Sequence, residues 1–152
     1  MMIGMRDRFI PMIEDGSKAH TIRRGFRFKV GMRADIYKNP REKSMKLVFR
    51  APITKVERIT IESYEARQNG PNPKTGNHCK GACRGPNGES LIVTVDGQEL
   101  DAAETRQLFW TDGFREPGTC PMYQALQFWE GTLPFSGQIV HWNYYERNKA
   151  PR

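Results

Sequence analysis

The sequence predicts a single α+β domain in which short strands form a small barrel or a curled sheet. Its 152 residues are enough for one domain with its own apolar core. Between residues 22 and 61, segments of alternating apolar residues recur about every ten positions, and glycine, proline or asparagine separate them. Short stretches with helical spacing precede and follow this β-rich part, which is typical of an α+β domain.

The first predicted helix spans residues 8–15, with Asp7 as its N-cap and Gly16 directly after its end. Apolar residues at positions i, i+3 and i+4 predict its buried stripe: Phe9, Met12 and Ile13. The strands predicted next cover residues 22–28, 31–37, 45–51 and 53–61. Asn39-Pro40 ends the second of these strands, and Pro52 predicts a bulge or bend between the last two.

A long segment of different composition follows at residues 67–90. Half of its 24 residues are glycine, proline or asparagine, and it contains no aromatic and no large aliphatic residue. Such a segment cannot bury enough apolar surface to offset its ordering entropy. We therefore expect one domain over residues 1–152 that carries a long flexible insert at 67–90.

The C-terminal part returns to regular patterns. A strand over residues 90–95 precedes a turn at Asp96-Gly97, and Asp101 with Glu104 forms a capping box for the next helix. Pro121 begins a further helix that Gly131 ends, and the last strand begins at residue 136. These elements complete the predicted sheet and its helices.

The positive charge is concentrated in the first third of the chain. Residues 1–50 hold 13 lysines and arginines against 5 acidic residues, whereas residues 51–152 hold 11 against 12. This asymmetry favours RNA or a nucleotide as partner, and a solvated basic face is the alternative. The residues predicted to contact phosphate are the arginines of the first strands: Arg23, Arg24, Arg27 and Arg33.

Several of these segments together resemble one family. The resemblance begins with a phenylalanine and a helical turn that ends in glycine, followed by Lys-x-x-Thr-Ile-Arg over residues 18–23. A glycine-started strand at 31–37, the element Asp112-Gly113-Phe114, an aromatic helix and a closing strand follow in order. This order is similar to that of ASCH domains, and it covers most of the chain except residues 67–90 and the C-terminal tail.

The resemblance implies a fold and a function. The fold would be a PUA-like mixed β pseudo-barrel with short helices at its rim and a cleft that faces RNA or a nucleoside. One bacterial enzyme of this group, an acetylcytidine amidohydrolase, uses a lysine, a threonine and a carboxylate. By that resemblance the catalytic residues would be Lys18, Thr21 and Asp112, with aspartate in place of that enzyme's glutamate.

The chemistry of these residue types fits hydrolysis. An amine kept neutral by burial can act as a base on water or on a threonine hydroxyl, and a carboxyl can protonate a leaving amine. An arginine such as Arg23 can hold a phosphate or a developing oxyanion. The enzymatic alternatives are hydrolysis of an amide on a modified pyrimidine nucleoside and cleavage of RNA. The non-enzymatic alternative is an RNA-binding module.

The remaining candidates bear on metals and location. His20 and His141 are predicted to pack in the core, and we expect no cofactor. A zinc site would need about four nitrogen or sulfur ligands, and the spacing here supplies no second cysteine pair. Its weak candidate ligands are His78, Cys79, Cys83 and Cys120. Three cysteines, the lack of an apolar leader and the lack of an 18-residue apolar run predict a cytoplasmic protein that does not span a membrane.

Overall fold

The computed structural model describes residues 1–63, 91–116, 121–128 and 133–142. A 3₁₀ turn over Asp7–Phe9 precedes the first helix. The helices are α1 (Ile10–Glu14), α2 (Ala102–Thr111) and α3 (Pro121–Phe128). The strands are β1 (Met2–Met5), β2 (His20–Arg24), β3 (Arg33–Lys38), β4 (Lys46–Ser63), β5 (Leu91–Val95), β6 (Gln98–Glu99) and β7 (Phe135–Trp142).

The strands form one mixed, curled sheet. β1 pairs with β3 in parallel, and the other pairs are antiparallel: β3 with β4, β4 with β5 and β7, β2 with β7, and β5 with β6. With only short helices beside it, the sheet has the shape of a half-barrel. The expectation of an α+β fold with a curled, barrel-like sheet is confirmed.

β4 is the longest strand and joins the two halves of the sheet. Its first part, residues 46–52, pairs with β3, and its second part pairs with β7 from Ile53 and with β5 from Ile59. Pro52 lies where the partner changes, and the register against β7 shifts between Ile53 and Lys55. The irregularity predicted at Pro52 is present, but the chain continues through it as a single strand because both halves are paired.

Several predicted boundaries are wrong. Asp7 does not cap α1, because it lies inside the 3₁₀ turn, and no side chain caps either element. The strand predicted over 22–28 is displaced towards the N-terminus, because Gly25 adopts a φ of 86° and ends it after Arg24. Phe26 therefore lies beyond the strand and half of its surface is exposed, instead of sharing the buried face of Ile22.

Other local predictions are confirmed. Gly16 has a φ of 84°, as a glycine after a helix end should. Asp96 and Gly97 both have positive φ in the turn between β5 and β6, and the Asp101 capping box is formed. The predicted insert at 67–90 and the end of the third helix at Gly131 lie outside the described residues.

The core lies between the concave face of the sheet and the helices. Isoleucines of β3 and β4 alternate inward, and α2 and α3 contribute Phe109 and Met122, all of them fully buried. Burial of this kind contributes roughly 1.5–3 kcal/mol for each large apolar side chain. The core fixes α1 and the C-terminal end of α2 against the start of β2, where the polar groups described next converge.

Candidate active site

A short loop between α1 and β2 delivers Lys18. The helix ends at Glu14 and Gly16 follows in the loop, where the Lys18 backbone N–H donates a hydrogen bond to the Met12 carbonyl at 2.9 Å. The chain thus folds back over the end of α1 before β2 begins at His20. This turn lets Lys18 and Thr21, three residues apart, lie on one side of the site, which strict strand alternation would prevent.

The end of α2 delivers Asp112 in a Schellman motif. Gly113 donates to the Trp110 carbonyl at 3.0 Å, and Phe114 donates to the Phe109 carbonyl at 3.1 Å. Gly113 has a φ of 111°, and a Cβ placed there would lie 2.7 Å from the Phe9 ring. The residue after Asp112 must therefore be glycine for two independent reasons.

Arg115 connects the two segments. Its guanidinium donates to the Trp110 carbonyl at 2.8 Å and to the hydroxyl and carbonyl oxygens of Ser17, each at 3.1 Å. These contacts join the end of α2 to the residue before Lys18. No local sequence pattern predicts this bridge, because it joins positions 98 residues apart.

Lys18 and Asp112 form a buried ion pair. The Lys18 Nζ lies 2.6 Å from Oδ1 of Asp112, and the side chains are only 2% and 4% exposed. The same amine donates to the His20 carbonyl at 2.9 Å and to the main-chain carbonyl of Asp112. All three protons of the ammonium group therefore have acceptors in this geometry.

Burial shifts both members of the pair towards their neutral forms. It lowers the pKa of Lys18, although the charge of Asp112 and the hydrogen bond with it act in the opposite direction. Burial likewise raises the pKa of Asp112, against the charges of Lys18 and Arg23. The transfer of one proton from the ammonium to the carboxylate would remove both buried charges, which is the change that burial favours in each group.

The pair lies on the wall of a cavity of about 610 Å³, which Thr21 and Arg23 also line. Within the described ranges, the Thr21 hydroxyl makes no hydrogen bond, and Arg23 donates to the Gly4 carbonyl across the site. Burial lowers the pKa of Arg23, but a guanidinium remains charged at neutral pH. The volume is within the range of cavities that bind small molecules.

The other predicted basic residues lie on the surface. The guanidinium carbons of Arg24 and Arg27 lie over the rings of Phe135 and Phe28, at 4.7 and 5.1 Å from the ring centroids. Arg33 forms an ion pair with Asp35 at 3.0 Å. Arg23 differs from these three because most of its surface is covered. Their contacts with phosphate stay a prediction.

His20 is the site residue that the sequence reasoning did not identify. It is buried, as expected, but its Nε2 has no hydrogen-bond partner in the described structure and lies 3.9 Å from Oδ1 of Asp112. His141 is half-buried beside it, and its Nε2 lies 2.8 Å from Oε2 of Glu57. The available signal was the position of His20 between Lys18 and Thr21 in the same motif.

The structure contributes two findings on metals and membranes. Across the described residues, no three histidine, cysteine or acidic side chains cluster as metal ligands would. The weak zinc candidates His78, Cys79, Cys83 and Cys120 lie outside those residues. No helix in the described part of the chain is long and apolar enough to cross a bilayer.

Comparison with known proteins adds no relative. No family model, no curated protein and no solved structure matches this chain. The evidence for a function is therefore the geometry of the site, together with the family resemblance of its motif.

Proposed function

We propose that this chain is an ASCH domain with a PUA-like fold that hydrolyses an amide on a modified pyrimidine nucleoside. The observation that supports the proposal is the buried Lys18–Asp112 pair on the wall of a cavity that Thr21 also lines. A buried base and acid in hydrogen-bonding contact are the two groups that amide hydrolysis requires. The cavity is large enough for a nucleoside and much smaller than a folded RNA.

The reaction follows from the neutral form of the pair. The free amine of Lys18 takes a proton from the nucleophile, which is either a water molecule or the Thr21 hydroxyl, and the nucleophile adds to the acyl carbon. The carboxyl of Asp112 then protonates the nitrogen as the C–N bond breaks. Lys18 is left as an ammonium and Asp112 as a carboxylate, which is the ion pair seen in the structure.

The short hydrogen bond between Lys18 and Asp112 also allows the protonation state from before the reaction to be restored. Return of the proton from Lys18 to Asp112 crosses one hydrogen bond of 2.6 Å and regenerates the base and the acid together. Arg23 supplies a fixed positive charge on the same cavity wall, which would stabilise the oxyanion of the tetrahedral intermediate. If Thr21 is the nucleophile, an acyl ester forms on its hydroxyl and water hydrolyses it in a second step.

The test is incubation with a panel of N-acylated nucleosides and RNA oligomers, analysed by mass spectrometry. We expect release of the carboxylic acid and of the free nucleoside by the wild-type chain, and loss of turnover in Lys18→Met and Asp112→Asn. Lys29→Met is the matched control, because Lys29 is exposed and does not line the cavity. Full hydrolysis by Lys18→Met would end the catalytic assignment.

A second experiment separates the two nucleophiles. If Thr21 attacks, a brief reaction leaves the acyl group on the protein, and Thr21→Val loses turnover. If water attacks, no acylated protein accumulates at any time and Thr21→Val retains measurable turnover, since Lys18 can activate the water without it. Trypsin digestion and mass spectrometry of the quenched protein distinguish these outcomes.

One surface observation favours the alternative of a binding module. Phe26 is half-exposed, Arg58 lies over its ring with the guanidinium carbon 4.9 Å from the centroid, and Arg24 and Arg27 are exposed nearby in sequence. Aromatic and arginine groups together form surfaces on which single-stranded bases stack. Loss of each phosphate contact, tested by Arg24→Gln and Arg27→Gln, should reduce the slope of log K against log salt by about 0.7 for single-stranded RNA. An unchanged affinity and slope in the double variant would exclude these arginines from RNA binding.

A further inference from the structure

Besides Nε of Arg23, a second buried nitrogen near the site lacks a hydrogen-bond partner in the described structure, and it belongs to His20. Its Nε2 is buried, has no hydrogen-bond partner in the described structure, and lies 3.9 Å from Oδ1 of Asp112. Buried polar atoms in folded proteins are almost always hydrogen-bonded, so one that lacks a partner calls for a physical explanation. Nε2 of His20 therefore requires a state of the site in which a neighbouring group becomes its hydrogen-bond partner.

Two contacts hold the backbone of His20 at the site. β2 pairs with β7 so that His20 lies opposite His141, and the two ring centroids are 5.3 Å apart. The His20 carbonyl accepts a hydrogen bond from Lys18, so the backbone of the residue is already held at the site. The ring of His20 thus packs beside that of His141, with Nε2 3.9 Å from Oδ1 of Asp112.

The charges around His20 keep its ring neutral. Burial lowers the pKa of His20 to about 3, and the positive charges of Lys18 and His141 lower it further, while a hydrogen bond with the Leu108 backbone and the charge of Glu57 act in the other direction. A neutral ring has one nitrogen without a proton, which can only accept a hydrogen bond. A carboxylate oxygen also only accepts, so an unprotonated Nε2 and the ionised Asp112 cannot bond to each other.

Protonation of Asp112 removes this mismatch. A carboxylic acid can donate its O–H to an unprotonated Nε2, and closing the gap of 3.9 Å to hydrogen-bonding distance requires a movement of about 1 Å. The proton comes from Lys18, whose Nζ is already hydrogen-bonded to the same oxygen. No other group needs to enter the site for this change.

We propose that His20 is a positioning residue whose Nε2 accepts a hydrogen bond from the protonated carboxyl of Asp112 and thereby leaves Lys18 as the free amine. One proton moves, from Nζ of Lys18 to the carboxylate of Asp112; the nitrogen keeps its electron pair, and His20 gains and loses no proton. The inference rests on the proposed function, because it explains how the resting ion pair becomes a base and an acid. In this proposal, His20 stabilises the reactive form of the pair, in which Lys18 is a free amine and Asp112 is a carboxylic acid.

The test measures the protonation of Asp112 directly by ¹³C NMR of its carboxyl group across pH. In His20→Phe the ring remains but the acceptor is lost, so we expect the pKa of Asp112 to fall by a unit or more. A purely structural effect has the opposite sign, since a more apolar neighbour raises the pKa of a buried carboxyl. In His20→Gln the side-chain oxygen can occupy the position of Nε2, and we expect the wild-type pKa to return. The other charges that face Asp112, those of Lys18 and Arg23, are unchanged in both variants.

Two results would overturn the proposal. One is a pKa of Asp112 that is unchanged or raised in His20→Phe. The other is a ¹⁵N spectrum of the wild-type chain in which Nε2 of His20 carries the proton, and this measurement remains decisive if the phenylalanine variant does not fold. Neither experiment contains a substrate, so failure of the hydrolysis assay and failure of this inference are separate outcomes. Where hydrolysis is observed, His20→Phe should reduce kcat and leave KM unchanged, and His20→Gln should restore kcat.

Discussion

Lowering the pH from 7 to 5 should destabilise the folded protein through His20 by about 2 kcal/mol. The ring has a pKa of about 3 in the folded protein and 6.5 when it is exposed to water. Between these values the unfolded chain binds a proton that the folded chain does not, so the free energy of unfolding falls as the pH falls. This loss begins near pH 6.5 and continues towards pH 3.

The magnitude follows from the two pKa values. At pH 5 an exposed histidine is almost fully protonated, and the factor of about 30 between its protonated and neutral populations corresponds to about 2 kcal/mol. At pH 7 the same contribution is only about 0.2 kcal/mol. The effect is a considerable fraction of the 5–15 kcal/mol by which domains are typically stable, so it should be easily measured.

Urea unfolding at pH 7, 6 and 5 measures this effect, with His20→Gln as the matched control. Glutamine removes the ionisable ring but retains a hydrogen-bond acceptor near Asp112, so the carboxyl of Asp112 should titrate alike in both proteins. We expect the wild-type chain to lose about 2 kcal/mol more than the variant between pH 7 and pH 5. Parallel curves for the two proteins would refute the reasoning, because they would show that His20 is protonated as readily in the folded state as in the unfolded state.

The buried pair and the glycine beside it give two further predictions about stability. Lys18→Met should cost about 3–5 kcal/mol in urea unfolding, because it leaves the Asp112 carboxylate buried without the ammonium that it contacts, and Lys18→Met/Asp112→Asn should recover much of that loss. A single variant as stable as the wild type would show that the pair is already neutral. In thermal melting, Gly113→Ala should lower the Tm more than Gly97→Ala, because both positions have positive φ but only the Cβ at 113 would meet the Phe9 ring. An equal decrease in Tm for the two variants would show that the Phe9 ring moves aside without a loss of stability.

The features that could be predicted from the sequence depend on neighbouring residues. The Asp96-Gly97 turn, the Asp101 capping box and the glycine after α1 each involve a few consecutive positions, and all three are confirmed. The N-cap predicted at Asp7 is wrong, because a 3₁₀ turn that includes Asp7 precedes α1 and displaces the start of the helix. Short-range patterns describe the ends of elements only when no other turn competes for the same residues.

The candidate site depends on contacts that no local pattern contains. The motif that includes Lys18 and Thr21 is recognisable in the sequence, and only the resemblance groups Lys18 with Asp112. The structure places Nζ of Lys18 2.6 Å from Oδ1 of Asp112, and their catalytic roles stay a prediction. Some burial of Lys18 is expected for an amine that acts as a base, but a lysine at the edge of a cleft would contribute little to stability, whereas this amine is almost fully enclosed and has three hydrogen-bond acceptors. The position of His20 beside the carboxyl depends on how β2 packs against the end of α2.

The pairing of β2 with β7 determines when the site can form during folding. In the described structure β2 is hydrogen-bonded to β7 alone, and contacts near this pair, such as that from Phe28 to Gln138, join residues 110 positions apart. Contacts between distant residues form slowly, because a long loop must close before they contribute to stability. During synthesis on the ribosome, β2 therefore stays unpaired until β7 has been synthesised. Lys18, in the loop before this strand, would reach the carboxylate of Asp112 in one of the last steps of folding, and intermediates that lack the pairing of β2 with β7 would be open to association with other chains.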